Sequence, residues 1–100
     1  VVHPVVHRHE AGYETLYINP AFVNRIEGWS AEESAPFLGM LYERAQMAVY
    51  TYRHRWSQRD LVVWDNRCTM HTRSKIDHTQ PREMHRSLIK GEAIIPATAP

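Results

Sequence analysis

Apolar positions change their period along the chain, and each change marks a different kind of element. Residues 1–7 are β-branched around Pro4, which predicts an edge or end strand. Glu10-Ala11-Gly12-Tyr13 reads as a turn, and Thr15-Leu16-Tyr17-Ile18 as a short buried strand ended by Asn19-Pro20. Ser30-Ala31-Glu32-Glu33 has the form of a capping box, in which Ser30 caps a backbone amide while Glu33 reaches back. Phe37, Leu38, Leu41, Tyr42 and Ala45 then recur at helical spacing and predict one amphipathic helix of about four turns. Pro36 leaves the start of that helix open. A cap at Ser30 puts the proline inside the helix, where it removes a hydrogen bond; a cap at Ser34 avoids this.

From Val49 onward the period becomes two. Tyr50, Tyr52, His54 and Trp56 share one face of an expected strand, with Thr51, Arg53 and Arg55 on the other. Ser57-Gln58-Arg59-Asp60 turns the chain into an expected buried strand, Leu61-Val62-Val63-Trp64-Asp65. A last strand is expected from about Arg82 to Ile89, followed by a frayed tail, Pro96-Ala-Thr-Ala-Pro100. Strands around one helix predict a mainly β class with helical decoration, an antiparallel sandwich or barrel. Residues 1–100 read as a single partial domain, because no repeat or linker divides them and the opening Val-Val-His-Pro reads as mid-domain.

Composition narrows the function classes. An apolar fraction of 43% is that of a folded protein, and a net charge of +1 gives no reason to expect a polyanion partner. A nucleic-acid interface built on Arg53, His54 and Arg55 is the one local exception, and strand pairing explains that segment better. The single Cys68 excludes an internal disulfide and fits a reducing, cytoplasmic compartment; no apolar run approaches membrane-spanning length.

Seven histidines invite a metal hypothesis. A mononuclear iron site uses two His and one carboxylate on one face, yet the His-x-Asp or His-x-Glu pair that usually supplies two of them is absent. His7-Arg8-His9 reads as solvated surface. Trp64-Asp65-Asn66-Arg67-Cys68-Thr69-Met70-His71 differs, since a buried strand ends in a polar cluster and returns to a histidine beside apolar neighbours. His71 is either a ligand or an ordinary packed or surface histidine, and Asp65 and Asn66 are most simply turn residues. In the last expected strand, Arg82, Met84 and Arg86 share one face with Leu88, marked as inward by its apolar members. Two inward arginines must be paired with acids or hold an anion, unless the strand is an exposed edge.

Taken in order, these segments resemble the taurine dioxygenase (TauD/TfdA-like) family of Fe(II)- and 2-oxoglutarate-dependent dioxygenases. The likeness runs through His3-Pro4-Val5-Val6, Leu16-Tyr17-Ile18-Asn19-Pro20-Ala21-Phe22, Arg25-Ile26-x-Gly28, the Ser30-x-x-Glu33-Ser34 helix start, Tyr52-Arg53-His54-Arg55-Trp56 and Trp64 to His71, then Arg82 and Arg86. It implies the C-terminal part of a double-stranded β-helix, or jelly roll. It further implies His71 as the distal ligand of Fe(2+), Arg82 as the clamp on the far carboxylate of 2-oxoglutarate, and Arg86 as the holder of an anionic substrate group. The implied reaction hydroxylates a small anionic substrate with O2, such as a taurine-like sulfonate or an aryloxyalkanoate, in a homo-oligomer when complete. No nucleic acid or membrane partner is implied. The family's proximal His-x-Asp lies upstream of everything present, and Gln58-Arg59-Asp60 lacks the Pro-Gly often found at that turn. One histidine cannot form a facial triad, so these 100 residues alone are expected to be inactive, and a non-catalytic jelly-roll fragment or interaction module is the competing expectation.

Overall fold

The computed structural model describes residues 1–97. Its first element is a β-hairpin, because Gly12 lets the chain reverse within a few residues. Gly12 has φ +90°, a region that glycine enters without steric penalty. The Gly12 N–H donates to the His9 carbonyl at 2.9 Å and the His9 N–H to the Tyr13 carbonyl at 2.9 Å. Strands β1 (Val6–Arg8) and β2 (Glu14–Leu16) are antiparallel, with Val6 opposite Leu16, His7 opposite Thr15 and Arg8 opposite Glu14.

The other edge of β1 is taken by the end of the described chain. Arg8 N–H donates to Ile95 O, Ala97 N–H donates to Val6 O, both at 3.0 Å, and Pro96 bridges to His7. The residues expected in an edge strand are therefore flanked on both sides. Pro96 and Ala97, expected in a frayed tail, are held; Thr98–Pro100 lie outside the described residues. His7, expected at a solvated surface, is 1% exposed, with Nδ1 2.9 Å from the Ile95 carbonyl oxygen. Burial follows from its place in the middle of a three-segment ribbon.

Helix α1 (Ala31–Ala45) starts at Ser30. The Glu33 N–H donates to Ser30 Oγ at 3.1 Å, and the Ser30 N–H donates to Glu33 Oε2 at 2.8 Å, so the reciprocal cap closes. Glu32 and Glu33 in the first turn and Arg44 in the last match the helix dipole. Ser34 is buried inside the first turns rather than capping them. Its hydroxyl donates to the Ser30 carbonyl at 2.8 Å and accepts the Ile26 N–H at 2.9 Å, which ties the preceding loop to the helix. Pro36 thus sits within the helix, as a Ser30 start requires. Leu38 is 5% exposed, Leu41, Tyr42 and Ala45 are half-buried, and Phe37 lies against Trp29 with ring centres 5.3 Å apart. A 3-10 turn, Ala48–Tyr50, follows.

The second half departs from expectation. Residues 51–56, 61–65 and 82–89 form no hydrogen-bonded ladder. Extended segments satisfy their amides only through a neighbouring strand, and these segments have none beside them. Their apolar side chains stand in solvent, Leu61 88% and Ile89 92% exposed, and the face of Met84 and Leu88 expected inward is exposed too. Among the described residues only Ile18 and Leu38 are buried large hydrophobics. The radius of gyration is 16.3 Å, against about 13 Å for a compact domain of this length. The structure is thus mostly non-helical, with one helix and one two-stranded antiparallel sheet. No described helix is long and apolar enough to cross a membrane.

Candidate functional site

The most highly connected polar residue is Asp65, at the end of the apolar run Leu61–Trp64. Its carbonyl accepts the Thr69 hydroxyl at 2.6 Å, the Thr69 N–H at 3.1 Å and the Cys68 N–H at 3.3 Å, which folds residues 65–69 into a tight turn. Its carboxylate accepts the Arg67 N–H at 2.8 Å and is gripped by the Arg67 guanidinium, with Nη2 2.8 Å from Oδ2 and Nε 3.1 Å from Oδ1. Arg67 Nη1 reaches Glu10 at 2.8 Å, and His9 Nε2 lies 3.3 Å from Asp65 Oδ2. The hairpin turn and the Asp65 turn are joined by this set. Arg67 holds the Asp65 carboxyl far below the ordinary carboxylate range, chiefly by side-chain and backbone hydrogen bonds, with a smaller contribution from His9. The same partnership raises the already high Arg67 pKa and lowers that of Glu10.

His9, Asp65 and Cys68 place three ligand-type atoms within 4.8 Å of one another. Their donors and acceptors are already matched without an ion. The Ala11 N–H donates to His9 Nδ1 at 3.1 Å, so the neutral ring carries its proton on Nε2 and donates to Asp65. A metal-binding Nε2 must be free of that proton, and a ligating histidine usually donates from its other nitrogen. The cluster is a closed hydrogen-bond network. His9 also stacks on Tyr13, with ring centres 4.5 Å apart, and the Tyr13 hydroxyl lies 4.0 Å from Cys68 Sγ.

His71 follows the Asp65 turn. Its ring lies 4.8 Å from that of Trp64, and the Trp64 indole N–H donates to Asn66 Oδ1 at 2.9 Å. His71 is exposed, and among the described residues no grouping of three ligand-type side chains includes it. The described residues therefore do not make up a complete iron site around it. Arg82 and Arg86 are also exposed, and among the described residues no acid pairs with either. The expectation that they project from an inward strand face is not met, because residues 82–89 have no partner strand to bury that face. His71, Arg82 and Arg86 border one broad hollow whose rim takes in most of the chain, so the hollow does not single them out. His54, placed on one strand face with Trp56 by the period of two, is half-buried against Trp56 at 4.8 Å and pairs with Asp60 at 3.1 Å. Arg59 has φ +75°, in the left-handed region that favours glycine.

Sequence reasoning missed His9, Glu10 and Arg67. The Asp-x-Arg spacing was a usable signal for the local pair. The contact between His9 and Asp65, 56 positions apart, left no local trace.

Comparison with known proteins gives these residues a context. Residues 1–88 match the profile of the family described as "Taurine catabolism dioxygenase TauD, TfdA family". The alpha-ketoglutarate-dependent 2,4-dichlorophenoxyacetate dioxygenase of Cupriavidus pinatubonensis is 36% identical over 93 residues, covering 92% of this chain and 32% of that protein. The alpha-ketoglutarate-dependent sulfate ester dioxygenase of Pseudomonas putida is 36% identical over 90 residues, 90% of this chain and 30% of its own length. The (S)-phenoxypropionate/alpha-ketoglutarate-dioxygenase of Delftia acidovorans is 38% identical over 90 residues, 90% and 29% of the two chains. The chain thus spans about a third of the length of these curated relatives. No solved structure matches it. With a family match over most of its length and an Asp65–His71 turn at the heart of the resemblance, the chain belongs to the TauD/TfdA dioxygenase family.

Proposed function

We propose that this chain supplies the distal metal histidine and the anion-binding arginines of an Fe(II)- and 2-oxoglutarate-dependent dioxygenase. The observation that carries the reading is the family match, whose span of residues 1–88 takes in His71, Arg82 and Arg86, together with two arginines with which no acid among the described residues pairs. A guanidinium left free of acids can bind a carboxylate through two parallel N–H bonds. Arg82 takes the distal carboxylate of 2-oxoglutarate and so sets its orientation; Arg86 takes the anionic group of the substrate. Relatives named for aryloxyalkanoates and for a sulfate ester make the substrate class a small organic anion. When bound, iron supplies oxygen activation; His71 contributes one of its ligands, and the jelly-roll fold completes around these residues. The working assembly is a cytoplasmic homo-oligomer.

A second reading is favoured by one observation: among the described residues no grouping of three ligand-type side chains includes His71. On that reading the chain is a non-catalytic fragment or interaction module. Adding iron(II) and 2-oxoglutarate without oxygen to the complete enzyme, in which the proximal His-x-Asp accompanies these residues, separates the two. A visible charge-transfer band that His71→Ala abolishes supports the dioxygenase reading. No band in the complete enzyme supports the module.

A further inference from the structure

We propose that Asp65 is the positioning residue for His71, locked in place by His9 and Arg67 from the hairpin side. The inference draws its purpose from the functional reading of His71, but the lock itself is a matter of geometry and can be tested without metal.

Three features point to it. The first is the number of bonds that converge on one side chain: the Arg67 backbone N–H, two nitrogens of its guanidinium and His9 Nε2 all approach the Asp65 carboxylate at 2.8–3.3 Å. The second is reach. Arg67 extends its other arm to Glu10, and His9 comes from the same hairpin turn, so the anchor lies more than 50 residues away in sequence. That turn is itself fixed, since His7 is buried between β2 and the 95–97 segment. The third is what flanks Asp65. Trp64 on one side lies against the His71 ring, and Asn66 on the other accepts the Trp64 indole N–H. Holding Asp65 therefore fixes both ends of the small buttress behind His71.

A residue needed only for the turn would be served by the Asp65 carbonyl, which already accepts Cys68 and Thr69. The carboxylate adds a connection to a distant element, and its partners leave it ionised at any ordinary pH. Residues behind a metal ligand that fix its orientation typically change metal affinity about 10–100-fold when altered.

The test is proton NMR of the metal-free protein, reading the His71 ring resonances, which the Trp64 ring current displaces. Asp65→Asn keeps the shape and removes the charge; Arg67→Gln removes the grip. Both are expected to move the His71 signals toward those of a free imidazole while the Leu38 methyl signals stay in place. Unchanged His71 signals in both variants overturn the proposal. Should Asp65→Asn disturb Leu38 as well, Glu10→Gln at the exposed end of the lock decides, with a smaller movement of the same sign expected and no movement contradicting it. In protein that gives the iron(II)–2-oxoglutarate band, Asp65→Asn is expected to weaken iron(II) about 10–100-fold at unchanged 2-oxoglutarate affinity. Equal weakening of both contradicts a positioning role. A missing band in the complete enzyme overturns the functional reading, while the NMR comparison still decides the lock.

Discussion

Residues 1–50 and residues 51–94 solve the problem of backbone hydrogen bonding differently. The first region contains a hairpin with a tight glycine turn, a helix with a reciprocal cap and a 3-10 turn, all closed within a few residues. The second is mostly extended, and past Thr51 its described backbone–backbone bonds fall in the turns at Asp60, Asp65 and Asp77. Both have apolar residues at suitable periods. What separates them is where the partner lies: a helix or a hairpin finds it nearby, whereas a central strand depends on a segment far away in sequence. The chemistry proposed for this chain lies in the second region, on the exposed side chains of His71, Arg82 and Arg86. Among the described residues, the long-range side-chain bonds that cross from one to the other all meet at the Asp65 turn, through His9, Glu10 and Arg67 and through Tyr13 and Cys68.

The widest difference is expected in amide exchange of the isolated protein. Amides of Leu38–Gln46 should be protected by two orders of magnitude or more on the scale of local opening, roughly 3 kcal/mol, while those of 51–56 and 82–89 exchange at nearly unprotected rates. Equal protection in the two regions would dissolve the contrast. Next in size is Leu38→Ala. Leu38 is one of only two buried large hydrophobics among the described residues, so its truncation should cost about 2 kcal/mol, the low end for a core leucine, because the surrounding face is half open. Loss of helical circular dichroism at lower temperature checks it; Leu61→Ala, at an exposed site, should leave the melting curve unmoved. The smallest change is Arg59→Gly. Relief of the left-handed backbone at φ +75° should stabilise the turn by up to about 1 kcal/mol, read as a small rise in melting temperature. A fall would mean that Arg59 contributes through its side chain.

Legibility in the sequence followed the same divide. The Ser30 cap and the apolar face of α1 were readable because a helix writes its partners three and four residues apart. The Ser30 or Ser34 ambiguity came from Pro36 alone and was resolved by Ser34, whose hydroxyl works inside the helix rather than at its end. The hairpin was readable from Gly12, but the third segment on β1 was not, since nothing at Pro96 signals a partner at His7. The segments around Tyr52, Val63 and Met84 have strand periodicity without ladders, because period says which face a side chain takes and not what lies beside the strand. Asp65 looked like a turn residue and is one; its carboxylate's reach to His9 depends on tertiary structure. The family was legible in the ordered motifs, and the comparisons place the chain there.

The most direct measurement is 2-oxoglutarate affinity in the presence of iron(II), compared among the complete enzyme and its Arg82→Ala and Arg86→Ala variants. Loss of a charge-assisted pair of hydrogen bonds is worth roughly 1.5–3 kcal/mol, so Arg82→Ala should weaken the co-substrate about 10–150-fold while Arg86→Ala leaves it within about twofold. Unchanged affinity in Arg82→Ala, or equal losses in the two variants, contradicts the assignment of separate anions to the two guanidinium groups.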